Sequence, residues 1–376
     1  MLGIASKTLL FPYWLILKTR HFLYDKNIKK SESYPIPIVC VGNITVGGTG
    51  KTPHTEMLIR LLGDRYNIAV LSRGYKRKSK GFRIAEVADT YKDVGDEPLQ
   101  IKQKFSDVTV AVCKSRREGI GKLLALPEAE CGGCVAGTKP DMIILDDGFQ
   151  HRKVRPSHSI VLVNYNRPIF GDNLLPIGSL RDLPEQIKRA DSVIISKSPV
   201  AVYSDGIMDQ ERTGDAVALE EKLWREKLNL GVRHKLYFSI IKYGTPQPVF
   251  HDKADSRYIY SKNAIFFTGI ANDAEFKNNL VGSYKVLDSI KFADHKNFSK
   301  SDIRHINSWA KKHPTAAVFT TEKDSKRLLE LKGLDSSVVS RLFYIPIEVE
   351  IVPQLKEREF VADLMGKFNE KRGRIF

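Results

Sequence analysis

Residues 42–53 read Gly-Asn-Ile-Thr-Val-Gly-Gly-Thr-Gly-Lys-Thr-Pro. Lysine and a hydroxyl behind a glycine-rich turn are the chemistry of phosphate capture. Backbone N–H groups around Thr45, Gly47, Gly48, Thr49 and Gly50 can wrap a nucleotide's phosphates, Lys51 can reach the outer ones, and the Thr52 hydroxyl can hold Mg²⁺. The strict phosphate-loop pattern has glycine where this chain has Thr45. A loop of this kind needs an acid at the end of a neighbouring strand to place the metal. The run 141–152, Asp-Met-Ile-Ile-Leu-Asp-Asp-Gly-Phe-Gln-His-Arg, supplies Asp146 and Asp147 directly after an apolar segment. A third acidic pair, Asp96-Glu97, sits between Gly95 and Pro98. Local chemistry alone makes Asp96 a helix cap with Pro98 in the first turn.

These groups need a frame. A β-branched run at 35–42 ends at the glycine-rich turn, and a helical pattern follows at 52–62. Further strands are expected at 68–72, 108–112, 142–145, 160–164 and 192–196, with helices at 97–105 and 116–126. Strands apolar on both faces and alternating with helices argue for a parallel sheet covered on both sides. The pattern lapses after 196. A helix at 218–230 then leads to a second α/β series with strands at 236–241, 264–269, 284–289, 316–321 and 342–347. The chain of 376 residues is therefore expected to form an N-terminal segment (1–30), a phosphate-loop domain of α/β/α type (31–235) and a smaller α/β domain (236–376), whose C-terminal stretch can return to the first.

Sixty Lys and Arg against 44 Asp and Glu leave a formal charge of +16, so an anionic partner is expected, whether nucleic acid, acidic membrane or phosphorylated substrate. The excess gathers in the N-terminal segment, in the basic run 73–83 and in the tail. Four cysteines are too few for a disulfide scaffold. Cys40 and Cys113 fall in apolar runs, and Cys131 and Cys134 read as a surface loop rather than half of a zinc site. Residues 9–17 are apolar but cover less than half of the roughly 20 residues a membrane-crossing helix needs. With aromatics at 11, 13 and 14 and cations downstream, the segment fits either a helix lying in an anionic headgroup layer or a helix docked on the protein.

Taken together, the phrases at 42–53, 72–75 (Ser-Arg-Gly-Tyr), 95–98, 145–152 and 174–181 (Leu-Leu-Pro-Ile-Gly-Ser-Leu-Arg) resemble the tetraacyldisaccharide 4′-kinase family, the lipid A 4′-kinases. So do 268–272, 292–295 (Phe-Ala-Asp-His) and 321–324 (Thr-Glu-Lys-Asp), in the family's order. The resemblance implies a P-loop NTPase-like α/β/α domain, a second α/β domain and an N-terminal membrane-associating helix. It implies ATP and Mg²⁺ as cofactors, and a lipid A precursor disaccharide 1-phosphate as acceptor. It also implies a peripheral place on the cytoplasmic face of the bacterial inner membrane.

By the same resemblance, Asp96 and His295 form an acid–histidine pair serving the attacking hydroxyl, with Lys51 catalytic beside them. Thr52, Asp146, Asp147 and Glu97 are the metal-side candidates, and Gln150, His151 and Arg181 the substrate-side ones; Arg73, at the head of the basic run 73–83, and Arg116 near it are substrate-side candidates by their charge, with a solvated loop as the alternative. One departure stands out: where many members carry glutamate, this chain has Asp182, which puts a direct ligand role there in doubt. Two rivals from other classes are a P-loop ATPase or GTPase switch with no lipid acceptor, and a nucleic-acid-binding module. No RNP motif, zinc finger or recognition helix supports the latter, and nothing in the chain requires an obligate protein partner.

Overall fold

The computed structural model describes residues 4–128, 134–270, 272–293, 298–329 and 331–372. A 22-residue helix, α1 (Ile4–Asp25), precedes the central strand β1 (Ile38–Asn43), which runs through the glycine-rich turn into α2 (Lys51–Leu62). There follow β2 (Ile68–Ser72), β3 (Arg83–Ile84), the short α3 (Tyr91–Val94), α4 (Asp96–Lys104), β4 (Thr109–Val112) and α5 (Arg116–Leu124). β5 (Met142–Asp146), β6 (His158–Asn164) and β7 (Ser192–Ser196) complete the inner strands.

β1 pairs in parallel with β5 on one side and β6 on the other; β2 and β4 extend the sheet beyond β5, and β7 beyond β6. Strand interiors are buried throughout, as all-parallel strands covered on both faces must be. Their residues alternate between two cores. Cys40, Leu71 and Leu145 point to one core, joined by Leu17 of α1. Val39, Val70 and Ile144 point to the other, joined by Phe360, Leu364 and Phe368 of the C-terminal helix Gln354–Arg372. The i, i+4, i+8 spacing of those three residues is the apolar stripe of a helix laid on a sheet.

Among the described residues the larger sheet has nine strands and the smaller five. Three strands of the larger were not legible as its members, one being the two-residue β3 at the end of the basic run. The strand Lys235–Tyr243, expected to open the second series, pairs in parallel with β7. The strand Ile347–Val352, which the sequence offered only as the tail of 342–347, pairs antiparallel with Lys235–Tyr243. Pro346 lies between Leu342–Ile345 and this strand, where the chain leaves one sheet for the other. In the smaller sheet Asn263–Thr268 pairs in parallel with Ala317–Thr321 and Lys285–Lys291.

The stretch 200–217 is not without structure. A small hairpin (Tyr203–Ser204, Ile207–Met208) precedes the helix Gln210–Lys227, which begins eight residues before the expected one. Only Thr213, Val217 and Trp224 of that helix are buried, so its first turns carry little apolar signal. Cys134 is half-buried, its thiol directed at the carbonyls of Gly63 and Tyr66, whereas Cys131 lies outside the described residues.

Candidate active site

The glycine-rich turn closes at the centre of the larger sheet, and Gly47 (φ 88°) and Gly50 (φ 83°) take the left-handed backbone that side chains disfavour. Thr45, standing where the strict pattern has glycine, is buried and forms a bridge with Leu180. Flanking bonds run from Val46 N to Ser179 O (2.8 Å) and from Arg181 N to Ile44 O (2.9 Å). The loop is therefore pinned from outside by residues 179–181. Inside it, Asn43 Nδ2 donates to Thr49 Oγ1 (2.9 Å), and Lys51 Nζ donates to Asn43 Oδ1 (3.4 Å). Thr52, the next residue of α2, is buried. Gly50 is held through its carbonyl, 2.7 Å from His54 Nδ1, while Nε2 of that imidazole lies 2.9 Å from Ser239 Oγ. Burial pushes His54 down to about 4, so at neutral pH it is an uncharged strut between the loop and the strand Lys235–Tyr243.

Beside the loop, β5 ends in Asp146. Its Oδ2 accepts from Ser72 Oγ (3.1 Å), whereas Oδ1 is buried with no hydrogen-bond partner among the described residues. Burial, with Glu97 and Asp147 close by, pushes this carboxyl up to about 7. Asp147 follows with φ 51°, a backbone state costly outside glycine and found where surroundings enforce it. Burial would raise its pKa. The Arg181 hydrogen bond and the Lys51 and Arg181 charges outweigh that and hold it at about 2. Arg181 bonds both Asp147 oxygens as well as Asn43 Oδ1, and Lys51 Nζ stands 3.9 Å from Asp147 Oδ1.

These residues fit a nucleotide with its divalent ion. Asp146 offers an unmet buried oxygen, and burial with Glu97 and Asp147 close by makes its charged form costly, which a divalent cation would offset. Among the described residues no three His, Cys, Asp or Glu side chains form a closed metal cage. Mg²⁺ in phosphoryl-transfer sites is held by only one or two carboxylates together with phosphate oxygens.

The shifted Asp146 carboxyl has a consequence for stability. Its folded-state value lies above the ordinary 3.8, so the folded chain holds that proton more tightly than the unfolded one. Its contribution is most favourable at low pH and is lost as pH rises from about 4 to about 7. Asp146→Asn is therefore expected to raise the melting temperature of the ligand-free protein at pH 8 and to change it little at pH 4. A thermal melt at both pH values checks this, and a lower melting point at pH 8 would contradict it.

The remaining expected residues divide. Gln150 Nε2 donates to Asn43 O (2.8 Å), which sets its amide against the loop. His151 is pushed down to about 4 by burial and by the nearby Arg116 and Arg73 charges, so it is present as neutral imidazole. Arg73 is exposed. Arg116, expected on the substrate side, is 2% exposed and donates to Asp146 O (2.8 Å) and Cys113 O (2.9 Å). It braces the acid-bearing turn from behind. Asp96 is the first residue of α4, with Gly95 in the cap position, so its side chain is released from capping and pairs instead with Arg327. His295 lies outside the described residues.

The sequence model of the tetraacyldisaccharide-1-P 4′-kinase family matches residues 6–367. The chain belongs to this family. The tetraacyldisaccharide 4′-kinase of Parabacteroides distasonis is 40% identical over 345 residues, covering 90% of this chain and 88% of its own. That of Porphyromonas gingivalis is 39% identical over 366 residues and covers 96% of each chain. LpxK from Aquifex aeolicus, crystallised in complex with ATP, superposes with a TM-score of 0.67 at 25% identity, over 96% of this chain and 99% of that one.

In this member of the kinase family the doubtful position 182 has a definite place. Asp182 is fully buried, and its Oδ1 lies 2.6 Å from His21 Nε2 of α1. Around that bond, Tyr13 Oη donates to Arg181 O (3.1 Å), Arg20 to Gln150 O, and Arg152 Nη2 to Asp25 Oδ1 (2.7 Å). The first helix is thus fastened to the two loops that build the phosphate site. No local signal announces this, because the partners are more than a hundred residues apart. Removing one partner leaves a buried carboxylate under-satisfied, so His21→Ala is expected to cost about 2–3 kcal/mol in urea unfolding. An unchanged midpoint would show that this anchor carries no load.

Proposed function

We infer that the chain transfers the γ-phosphoryl group of ATP to the 4′-hydroxyl of a tetraacylated glucosamine disaccharide 1-phosphate, a lipid A precursor. The observation that carries this reading is the pairing of a phosphate loop with Asp146 and Asp147 at adjacent strand ends, in a chain that one kinase family matches over nearly its whole length. Phosphoryl transfer passes through a loose transition state, so positioning and charge neutralisation supply most of the catalysis.

In this reading the loop amides and Lys51 hold the outer phosphates. Thr52 with Asp146 or Asp147, and Glu97 beside them, would hold Mg²⁺, which when bound neutralises charge on the β- and γ-phosphates. Asp96 takes the proton of the acceptor hydroxyl as its oxygen bonds to phosphorus and the bond to the leaving ADP oxygen breaks. His295 orients Asp96. Arg73, Gln150 and neutral His151 line the acceptor side, and Arg181 hands over from Asp147 to phosphate. Arg116 serves the acids rather than the acceptor. An acceptor whose 4′-oxygen is methylated should take no phosphate, and phosphorylation of that analogue would place the reaction elsewhere.

The membrane reading rests on α1. Leu17, His21 and Tyr24 are buried on one face, while Phe11, Trp14, Leu15, Ile16 and Phe22 stand exposed on the others. Among the described residues no helix is long and apolar enough to cross a membrane. The docked and interfacial readings are therefore two faces of one helix. We place the exposed apolar residues in the headgroup region of the cytoplasmic leaflet, with Lys18 and the basic run 73–83 against anionic lipid. Phe11→Ser/Ile16→Ser, removing two side chains 56% and 64% exposed, is expected to weaken binding to anionic vesicles. At about 1.5–3 kcal/mol for full burial of one such side chain, tenfold or more is expected from the pair. Unchanged co-sedimentation would contradict the placement.

We also assign the chain two units, one continuous and one discontinuous. The phosphate-loop unit takes back residues 347–372 after the smaller sheet is complete.

A further inference from the structure

The helix Glu322–Leu328, which follows a strand of the smaller sheet, lies against α4 of the larger unit. It is tied at both ends. At the C-terminal end of α4, Lys104 Nζ donates to buried Glu56 Oε2 (2.8 Å) and stands 3.8 Å from Glu322 Oε2. At the N-terminal end, Arg327 reaches Asp96, the first residue of α4. Arg327 is 2% exposed. Its Nη2 donates to Asp96 Oδ2, and its Nη1 donates to Asp324 Oδ1 at 3.2 Å. Asp324 is itself fixed, because its Oδ2 accepts from the Gly269 amide (2.7 Å) and from the Thr321 hydroxyl (2.7 Å).

A guanidinium at this depth is costly unless its planar fork is matched by carboxylates, and here one carboxylate comes from each unit. The result is a hydrogen-bonded path from the backbone of the smaller sheet to the carboxylate read here as the general base. A base works only from the right position, since a displacement of about 1 Å can cost about 10²-fold in rate.

We propose that Arg327 is a positioning residue for the transfer reaction. It grips Asp96 by Oδ2 and makes the placement of the base depend on how the smaller sheet seats on α4. The proposal rests on the reading of Asp96 as the base.

The test measures kcat and KM for ATP with the tetraacyl disaccharide 1-phosphate in mixed micelles. Arg327→Met should lower kcat by about 10- to 100-fold while KM for ATP stays within about twofold. Arg327→Lys keeps the charge but not the fork and should recover part of the loss. Because Arg327→Met strands the buried Asp324 charge, Arg327→Met/Asp324→Asn supplies a variant without it. Its kcat should stay low, and a return to wild-type turnover would overturn the proposal by showing that the single variant was merely destabilised. In an Asp96→Ala background, Arg327→Met should have no further effect. A full additional loss there would overturn the role of Arg327 and leave the base reading intact. Near-normal turnover of Asp96→Ala alone would remove the base reading and this proposal with it.

Discussion

Asp96→Ala is expected to lower kcat by about 10²–10⁴ while ATP affinity changes little. The magnitude is that of a positioned general base, and the selectivity follows from geometry. Asp96 opens α4 under a glycine cap, and its side chain pairs with Arg327 of the helix Glu322–Leu328. The loop is held by other groups, namely Asn43, His54, Arg181 and the 179–181 strap. Removing Asp96 should leave those contacts standing. Steady-state kinetics with ATP as the varied substrate checks the split. A variant that loses ATP affinity in step with kcat would move Asp96 to the nucleotide side.

Lys51→Ala is the second large effect, expected at about 10²–10³ in kcat. Lys51 is held between the amide oxygen of Asn43 and the carboxylate of Asp147, with its side chain only 15% exposed. Charge that develops on the outer phosphates meets a cation held at a fixed place, which is how a preorganised site lowers a barrier. The fold should tolerate the change, because Arg181 continues to neutralise Asp147. Single-turnover measurement with saturating ATP separates the chemical step from binding. A loss under about tenfold there would mean that Arg181 or another cation does this work.

Much of the site was readable because its chemistry is contiguous. The turn at 42–53, the acids at 146 and 147 and the pair at 96–97 each lie in one short phrase, and alternating apolar runs place those phrases at strand ends. What escaped notice depends on contacts between distant segments. Asp182 looks like a shortened glutamate until α1 supplies His21. Arg327 is one cation among 60 until the smaller sheet brings it to Asp96. The strands Lys235–Tyr243 and Ile347–Val352 have ordinary β patterns, and only their pairing with each other and with β7 shows which sheet they join. Arg116, singled out as a cation near the basic run, is buried and donates to the carbonyls of Cys113 and Asp146, a placement no local signal announced.

The most direct measurement of the central claim follows label from γ-³²P-ATP in the presence and absence of the tetraacyl disaccharide 1-phosphate. Label should enter the lipid fraction only with acceptor, in proportion to ADP formed, and should fall to background in the Lys51→Ala variant. Inorganic phosphate released at the same rate without lipid, or lipid product that persists in that variant, would contradict the account.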